Sequence, residues 1–343
     1  MIAPPSGNKD PASPLRIVSL GGGTGLSSLL QGLKSYALQG QADLTAIVTV
    51  TDDGGSSGRL RREFDVLPPG DIRNCMVALS EDEALLGRLF QYRFAAGRGL
   101  KGHSFGNLFL TALTHVTGDF PHAVQLSSEV LAICGRIYPS TAQNVGLRAV
   151  MHDGSIVVGE TRISKSRKRI VRLELTPAKV KPLKDVLDAI AAADLITMGP
   201  GSLYTSVIPN LLVDGIATAI RRSQARKVYF ANLMWQPWET MQYSASDHLK
   251  AIFDHGGKGT VEQVILNSRP ISASQRRLYA ADKVFPVELD TPRIAELGVE
   301  VVSRPLLAKG EKIRHDSSAI ASVAMELAIE ARERRSPTSS SSR

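Results

Sequence analysis

The stretch that most constrains the fold of this 343-residue chain is Arg16 to Leu33, Arg-Ile-Val-Ser-Leu-Gly-Gly-Gly-Thr-Gly-Leu-Ser-Ser-Leu-Leu-Gln-Gly-Leu. Ile17, Val18 and Leu20 form an apolar run of strand length, and Leu26, Leu29, Leu30 and Leu33 then recur at helical spacing. The order is strand, glycine turn, helix. Glycine lets the backbone come close to a ligand, and the free amides and positive dipole end of the helix suit an anion, so Gly22, Gly23, Thr24 and Gly25 are candidate phosphate contacts. This is not the dinucleotide fingerprint, because Leu26 and Ser28 stand where a final glycine would fall. Nor is it a Walker loop, because no Gly-Lys-Ser/Thr follows.

A second strand, Leu44 to Val50, leads into Thr51-Asp52-Asp53-Gly54-Gly55-Ser56-Ser57-Gly58. Ligands in doubly wound sheets collect beyond the carboxyl ends of the strands, which places Asp52 and Asp53 beside the glycine turn. They suit ribose hydroxyls, or a Mg²⁺ that in turn holds a diphosphate, since bare carboxylates repel a phosphate unless a cation intervenes. In Pro68-Pro69-Gly70-Asp71-Ile72-Arg73-Asn74, Asp71 is expected to cap the helix that follows and Arg73 to reach an anion. Gly102-His103-Ser104-Phe105-Gly106 fits the G-x-S-x-G pattern, but a glycine-rich charged loop precedes it where a nucleophile elbow needs a strand. Ser104 and Asn107 are better read as caps of the next helix, with Asn107 a further ligand contact.

An apolar strand is expected at Val130 to Arg136. Leu147 to Met151, the turn His152 to Ser155, Ile156 to Thr161, and Ile170 to Leu175 predict a small antiparallel insertion at about 146–176. Between its strands lies the basic run Lys165 to Arg169, expected to be a solvated tip. The parallel pattern then resumes at Leu195-Ile-Thr-Met-Gly199-Pro200-Gly201-Ser202, a second strand and glycine turn. Gly199, Gly201 and Ser202 would form the opposite wall of a crevice, joined by Asn210 after Pro209. Trp235 and Trp238 are expected in the core, and Arg314, just before a last helix from Ser318 to Ala331, is a second anion contact.

Composition narrows the partners. A hydrophobic content of 43% with 22% charged residues is that of an ordinary folded protein. Residues 1–15 and 332–343, rich in proline and in arginine and serine respectively, read as a disordered leader and tail around one domain over 16–331. No run has the length of a membrane span, and two cysteines, Cys75 and Cys134, read as buried thiols of a reducing compartment, so a cytoplasmic location is expected. A net charge of +8 favours an anionic partner, but aromatics at 5% and the lack of any binding module point away from nucleic acid and toward a small phosphorylated ligand. The histidines show no ligand spacing for a transition metal.

Five motifs in order, at 21–27, 51–61, 68–74, 102–107 and 198–206, resemble those of the gluconeogenesis factor family, the YvcK-like proteins, over about 16–330. That family is similar to the 2-phospho-L-lactate transferases, the CofD-like superfamily. The resemblance implies an α/β, Rossmann-like, mostly parallel doubly wound sheet with the antiparallel insertion. It implies binding of a nucleotide-sugar such as UDP-N-acetylglucosamine, with Thr24, Asn210 and Arg314 at ligand positions, and a cytoplasmic regulatory role in carbon metabolism, wall precursor balance and cell shape. Regulatory protein partners and self-association are part of that expectation. The alternative is a Mg²⁺-dependent phospholactate-type transferase in which Asp52 and Asp53 are catalytic. Leu26-Ser27-Ser28 and Pro69-Gly70-Asp71-Ile72-Arg73-Asn74 depart from the transferase pattern and point away from it.

Overall fold

The structure is a computed structural model that describes residues 13–81 and 85–335. Seven parallel strands form the central sheet: β1 (Leu15–Gly21), β2 (Ala42–Val48), β3 (Arg136–Pro139), then β7 (Leu195–Met198), β8 (Arg226–Phe230), β9 (Gln263–Asn267) and β10 (Glu300–Arg304). Their spatial order is β10-β9-β8-β7-β1-β2-β3. The chain builds outward from β1 in one direction, then returns to β1's other side with β7 and builds the opposite way. The switch point therefore lies between β1 and β7, with register Ile17↔Leu195 to Leu20↔Met198. Strands β4 (Gly146–Met151), β5 (Ile156–Val158) and β6 (Ile170–Thr176) make the separate antiparallel sheet, in the order β5-β4-β6.

Helices cover both faces. In α1 (Gly23–Leu38) the expected stripe Leu26, Leu29, Leu30 and Leu33 is fully buried against the sheet. The last helix, Ser317–Arg335, packs so closely on α1 that a Cβ at Gly32 would stand 2.0 Å from the Ser317 carbonyl oxygen. It runs past residue 331 because Arg332 and Arg335 both bind Asp194, at 2.5 and 2.7 Å, beneath the sheet. Arg332 also donates to the carbonyls of Ser13 and Pro14, and Leu15 already belongs to β1. Ordered structure thus extends into both of the ends expected to be loose; their remainders, 1–12 and 336–343, lie outside the described residues.

Two expectations are corrected. Val130 ends a helix, Phe120–Val130, and the strand begins only at Arg136. Asp119 caps that helix through the His122 amide at 3.0 Å, and Pro121 occupies its first turn, so start signals outweighed the apolar run. The run 165–169 is solvated as expected, with Lys165, Arg167 and Arg169 exposed, but it is not a hairpin tip: it starts at the last residue of a short helix, Glu160–Lys165, and is pinned where Lys168 pairs with Asp153 at 2.6 Å and the Arg167 guanidinium lies 5.0 Å from the Trp238 ring.

Candidate functional site

The two glycine turns meet at the switch point. Gly25 faces the Pro200–Gly201 backbone so closely that a Cβ would come within 2.2 Å of the Pro200 carbonyl oxygen. Between and above the turns opens a crevice of about 490 Å³. Gly22, Gly23, Thr24 and Gly25 form one wall of it, and Gly201 and Ser202 the other. Arg314 hangs over it, exposed, and no hydrogen bond or ion pair joins its guanidinium to another described residue. Ser28 and Ser206 add hydroxyls. Farther out, Leu233, Met234, Trp235 and Ile313 give apolar walls, with Asn232, Gln236 and His315 among them. Trp235 thus walls the crevice instead of filling the core, and Trp238 is 36% exposed.

The two turns differ in what their amides meet. At the second, Gln236 Oε1 accepts from Leu203 N at 3.2 Å and Glu239 Oε1 from Tyr204 N at 2.7 Å, so the protein caps the π-helical turn Leu203–Val207 itself. At the first, the Asp71 carboxylate faces the Gly23 amide, and a Cβ on Gly22 would stand 2.5 Å from Asp71 Oδ2. Asp71 is therefore not the cap of α3 (Gly70–Leu79); it lies in that helix's first turn and reaches across to α1. Thr24 and Gly25, at the second and third positions of α1, have amides with no acceptor inside the helix and face the crevice.

Other expected residues lie elsewhere. Asn210 is fully buried, its Nδ2 donating to the carbonyls of Ser206 (2.8 Å) and Gly21 (3.2 Å), so it braces both turns from behind. Gly199 adopts a positive φ of 70° below the crevice and lends it no lining. Asn107 is buried on the far side of α2 (Gly55–Phe64), where its Nδ2 donates to Ser56 Oγ, itself 2.9 Å from His103 Nδ1. Ser104 caps the helix Phe105–Thr117 through the Asn107 amide and takes a 2.5 Å bond from Arg73, not from a histidine, which removes the hydrolase arrangement.

Asp52 and Asp53 do not line the crevice. Asp53 Oδ1 accepts from the amide (2.8 Å) and hydroxyl (2.6 Å) of Thr161, anchoring the short helix of the insertion, while Asp52 Oδ1 accepts from Gly54 N at 2.8 Å. Each thus has its Oδ1 committed to the protein's own amides and hydroxyls, and among the described residues no three Asp, Glu, His or Cys side chains converge as a metal set. They belong instead to a layer of carboxylates behind the first turn. Burial pushes Asp52 upward, Asp71 to about 6 and Glu160 to about 9, reinforced in all three by neighbouring carboxylates. Burial also raises Glu239, to about 7.

Ser206, Gln236, Asn232 and His315 had no signal in the sequence beyond their residue type, because only folding brings their three segments to one rim. Asp71 had one: a carboxylate after Pro-Pro-Gly in a chain where three of the other four motifs sit at strand ends.

Comparisons agree with this architecture. Residues 17–307 match the family described as 2-phospho-L-lactate transferase CofD. The gluconeogenesis factor of Halalkalibacterium halodurans is 50% identical over 90% of this chain and 95% of its own, and that of Bacillus subtilis is 47% identical over 91% and 98%. A crystal structure of a UPF0052 family protein from Bacillus halodurans superposes with a TM-score of 0.88 at 48% identity, covering 91% of this chain and 99% of the other. A likeness of this extent means that the chain belongs to the CofD family and, within it, to the gluconeogenesis factors.

Proposed function

We propose that the crevice binds a nucleotide diphosphate-sugar of the UDP-N-acetylglucosamine type and that the protein acts through this binding as a regulator linking carbon supply to wall precursors and cell shape. The observation that carries this reading is the unpaired Arg314 guanidinium suspended over a glycine turn whose Thr24 and Gly25 amides are open, at the switch point of a parallel sheet. A guanidinium and helix-start amides converge on a diphosphate, and the apolar outer wall suits a planar base or a sugar face. Regulation is favoured over turnover because Asp52 and Asp53 stand outside the crevice lining, each with its Oδ1 bonded within the protein. The CofD family's transferase chemistry remains the competing reading, supported by the family match and tested by release of GMP from a phospholactyl dinucleotide.

Calorimetry with UDP-N-acetylglucosamine tests the binding. Thr24→Ala is expected to weaken it while leaving the unfolding midpoint in place, because Thr24 Oγ1 makes no hydrogen bond to another described residue. Equal affinity in both proteins would remove Thr24 from the site, and no binding by the unaltered chain would end the proposal.

A further inference from the structure

The crevice has a neighbour. Over the end of β9 opens a second cavity of about 330 Å³, and Asn232 and Leu233, just past the end of β8, line both hollows. The two therefore share a wall along the carboxyl rim of the sheet, where ligands of such folds collect. Part of that wall is a ribbon in which Val287 N donates to the Leu233 carbonyl at 3.1 Å and Trp235 N to the Phe285 carbonyl at 2.9 Å. Pro286 and Val287 of the ribbon, with Pro270 and Ile271 opposite, make the second cavity apolar at its sides.

Its charged lining is of one sign. Arg269 and Arg276 line it, both exposed, and no Asp or Glu does; in the crevice the same holds, with Arg314. Two cavities elsewhere differ: one beside β3 is lined by Asp119, Glu129 and Asp185, and one between β6 and the helix Ala245–Gly256 by Asp247 and Asp254. The two arginines are also set in place by their backbones. Asn267 Oδ1 accepts from Arg269 N at 3.1 Å and Asn267 Nδ2 donates to the Arg269 carbonyl at 2.7 Å, while Arg269 Nη1 donates to the Leu307 carbonyl at 2.8 Å. Arg276 stands on the helix Ala273–Ala280, which starts in a capping box of Ser272 and Gln275 and buries none of its residues. Polar ties hold that helix to the Arg314 segment: Gln275 Nε2 donates to the Gly310 carbonyl at 2.8 Å, and Tyr279 Oη accepts from Ile313 N at 3.1 Å. No hydrogen bond or ion pair joins the Arg276 guanidinium to another described residue. A hollow whose only charged walls are guanidinium groups is complementary to a carboxylate or a phosphate.

We propose that this cavity is a subsite for an acidic group on the ligand of the crevice, held by Arg276 and Arg269, so that the site selects nucleotide diphosphate-sugars carrying an anion besides the diphosphate. This rests on the nucleotide-sugar reading above and deepens it. Two sources share that chemistry: a carboxylate on the sugar and a phosphate on the ribose.

Calorimetry on the full chain distinguishes them with matched pairs. UDP-glucuronate against UDP-glucose and UDP-N-acetylmuramic acid against UDP-N-acetylglucosamine place a carboxylate on the sugar; 3′-phospho-UDP against UDP places a phosphate on the ribose. In at least one pair the acidic member is expected to bind about 5- to 10-fold more tightly, the lower range for a charge-assisted bond because both guanidinium groups are exposed. The pair that shows the preference names the source. Arg276→Glu should abolish or invert that preference and Arg276→Lys should keep part of it. Arg277→Glu, the same change of charge at an exposed neighbour outside the cavity lining, should retain it. If no acidic member binds more tightly than its partner, or if the preference survives unchanged in Arg276→Glu or disappears equally in Arg277→Glu, the inference is overturned while the crevice stands. If UDP, UDP-glucose and UDP-N-acetylglucosamine all fail to bind the unaltered chain, the underlying reading falls and takes the inference with it. The ligand pairs need no variant, so a misfolded Arg276→Glu leaves the test intact.

Discussion

Gly25→Ala isolates the geometry on which the crevice depends. Gly25 is the third residue of α1 and has an ordinary helical backbone, so at an exposed site the alanine would stabilise the protein by about 0.5–1 kcal/mol. Here the new Cβ would stand 2.2 Å from the Pro200 carbonyl oxygen, 2.6 Å from its carbonyl carbon and 2.9 Å from Gly201 Cα. All three are main-chain atoms that cannot rotate away. Ordinary contact begins near 3.4 Å, so the two turns must part by roughly 1 Å, an overpacking that costs about 1–3 kcal/mol. The net expectation is a destabilisation of about 1–2 kcal/mol, read as a lower urea midpoint at unchanged slope. Binding should suffer more. Moving one wall by roughly 1 Å misaligns charge-assisted bonds worth about 1.5–3 kcal/mol each, a loss of about 10-fold or greater in affinity for UDP-N-acetylglucosamine. An alanine variant as stable as the parent, with the same affinity, would show that the close approach of the turns is not needed and would refute the argument.

Other substitutions separate binding from folding. Arg314→Ala should leave the unfolding midpoint unchanged, since the side chain is exposed, yet weaken nucleotide-sugar binding about 10-fold and flatten its salt dependence, measured by titration at two ionic strengths. Asp71 sits at about 6 in the fold against 3.8 ordinarily, so the folded state holds its proton more tightly. That contribution to stability is complete below about pH 4 and is lost as pH rises through about 6. Ionisation also sets a negative charge beside the phosphate seat. Affinity for UDP-N-acetylglucosamine should therefore fall between about pH 5 and 7, and Asp71→Asn should abolish the slope; an unchanged slope would remove Asp71 from the site's electrostatics. Asp194→Ala leaves Arg332 and Arg335 without their shared carboxylate and the Arg16 amide without its acceptor, and should cost about 3–5 kcal/mol in urea unfolding with little change in affinity for the molecules that fold.

The sequence by itself determined the strand-turn-helix units and much of their fold class. Leu26 to Leu33 could only be one buried helical stripe, Ile17 to Leu20 a buried strand, and the glycines between them a turn, because these follow from local periodicity and backbone freedom. The hairpin at Asp153 was legible for the same reason: its turn residues bond to their own neighbours. Only the tertiary structure decided which glycine turn stays open. Glu239 and Gln236, more than thirty residues downstream, cap the second, and Asp71, some fifty residues from Gly23, leans on the first. It likewise turned Asn210 inward to brace the turns, tied Asp53 to Thr161 of the insertion, and carried His315 to the rim. A residue's type announces what it can donate or accept, but its partner is fixed by the strand order, which brings together segments that the chain keeps hundreds of residues apart.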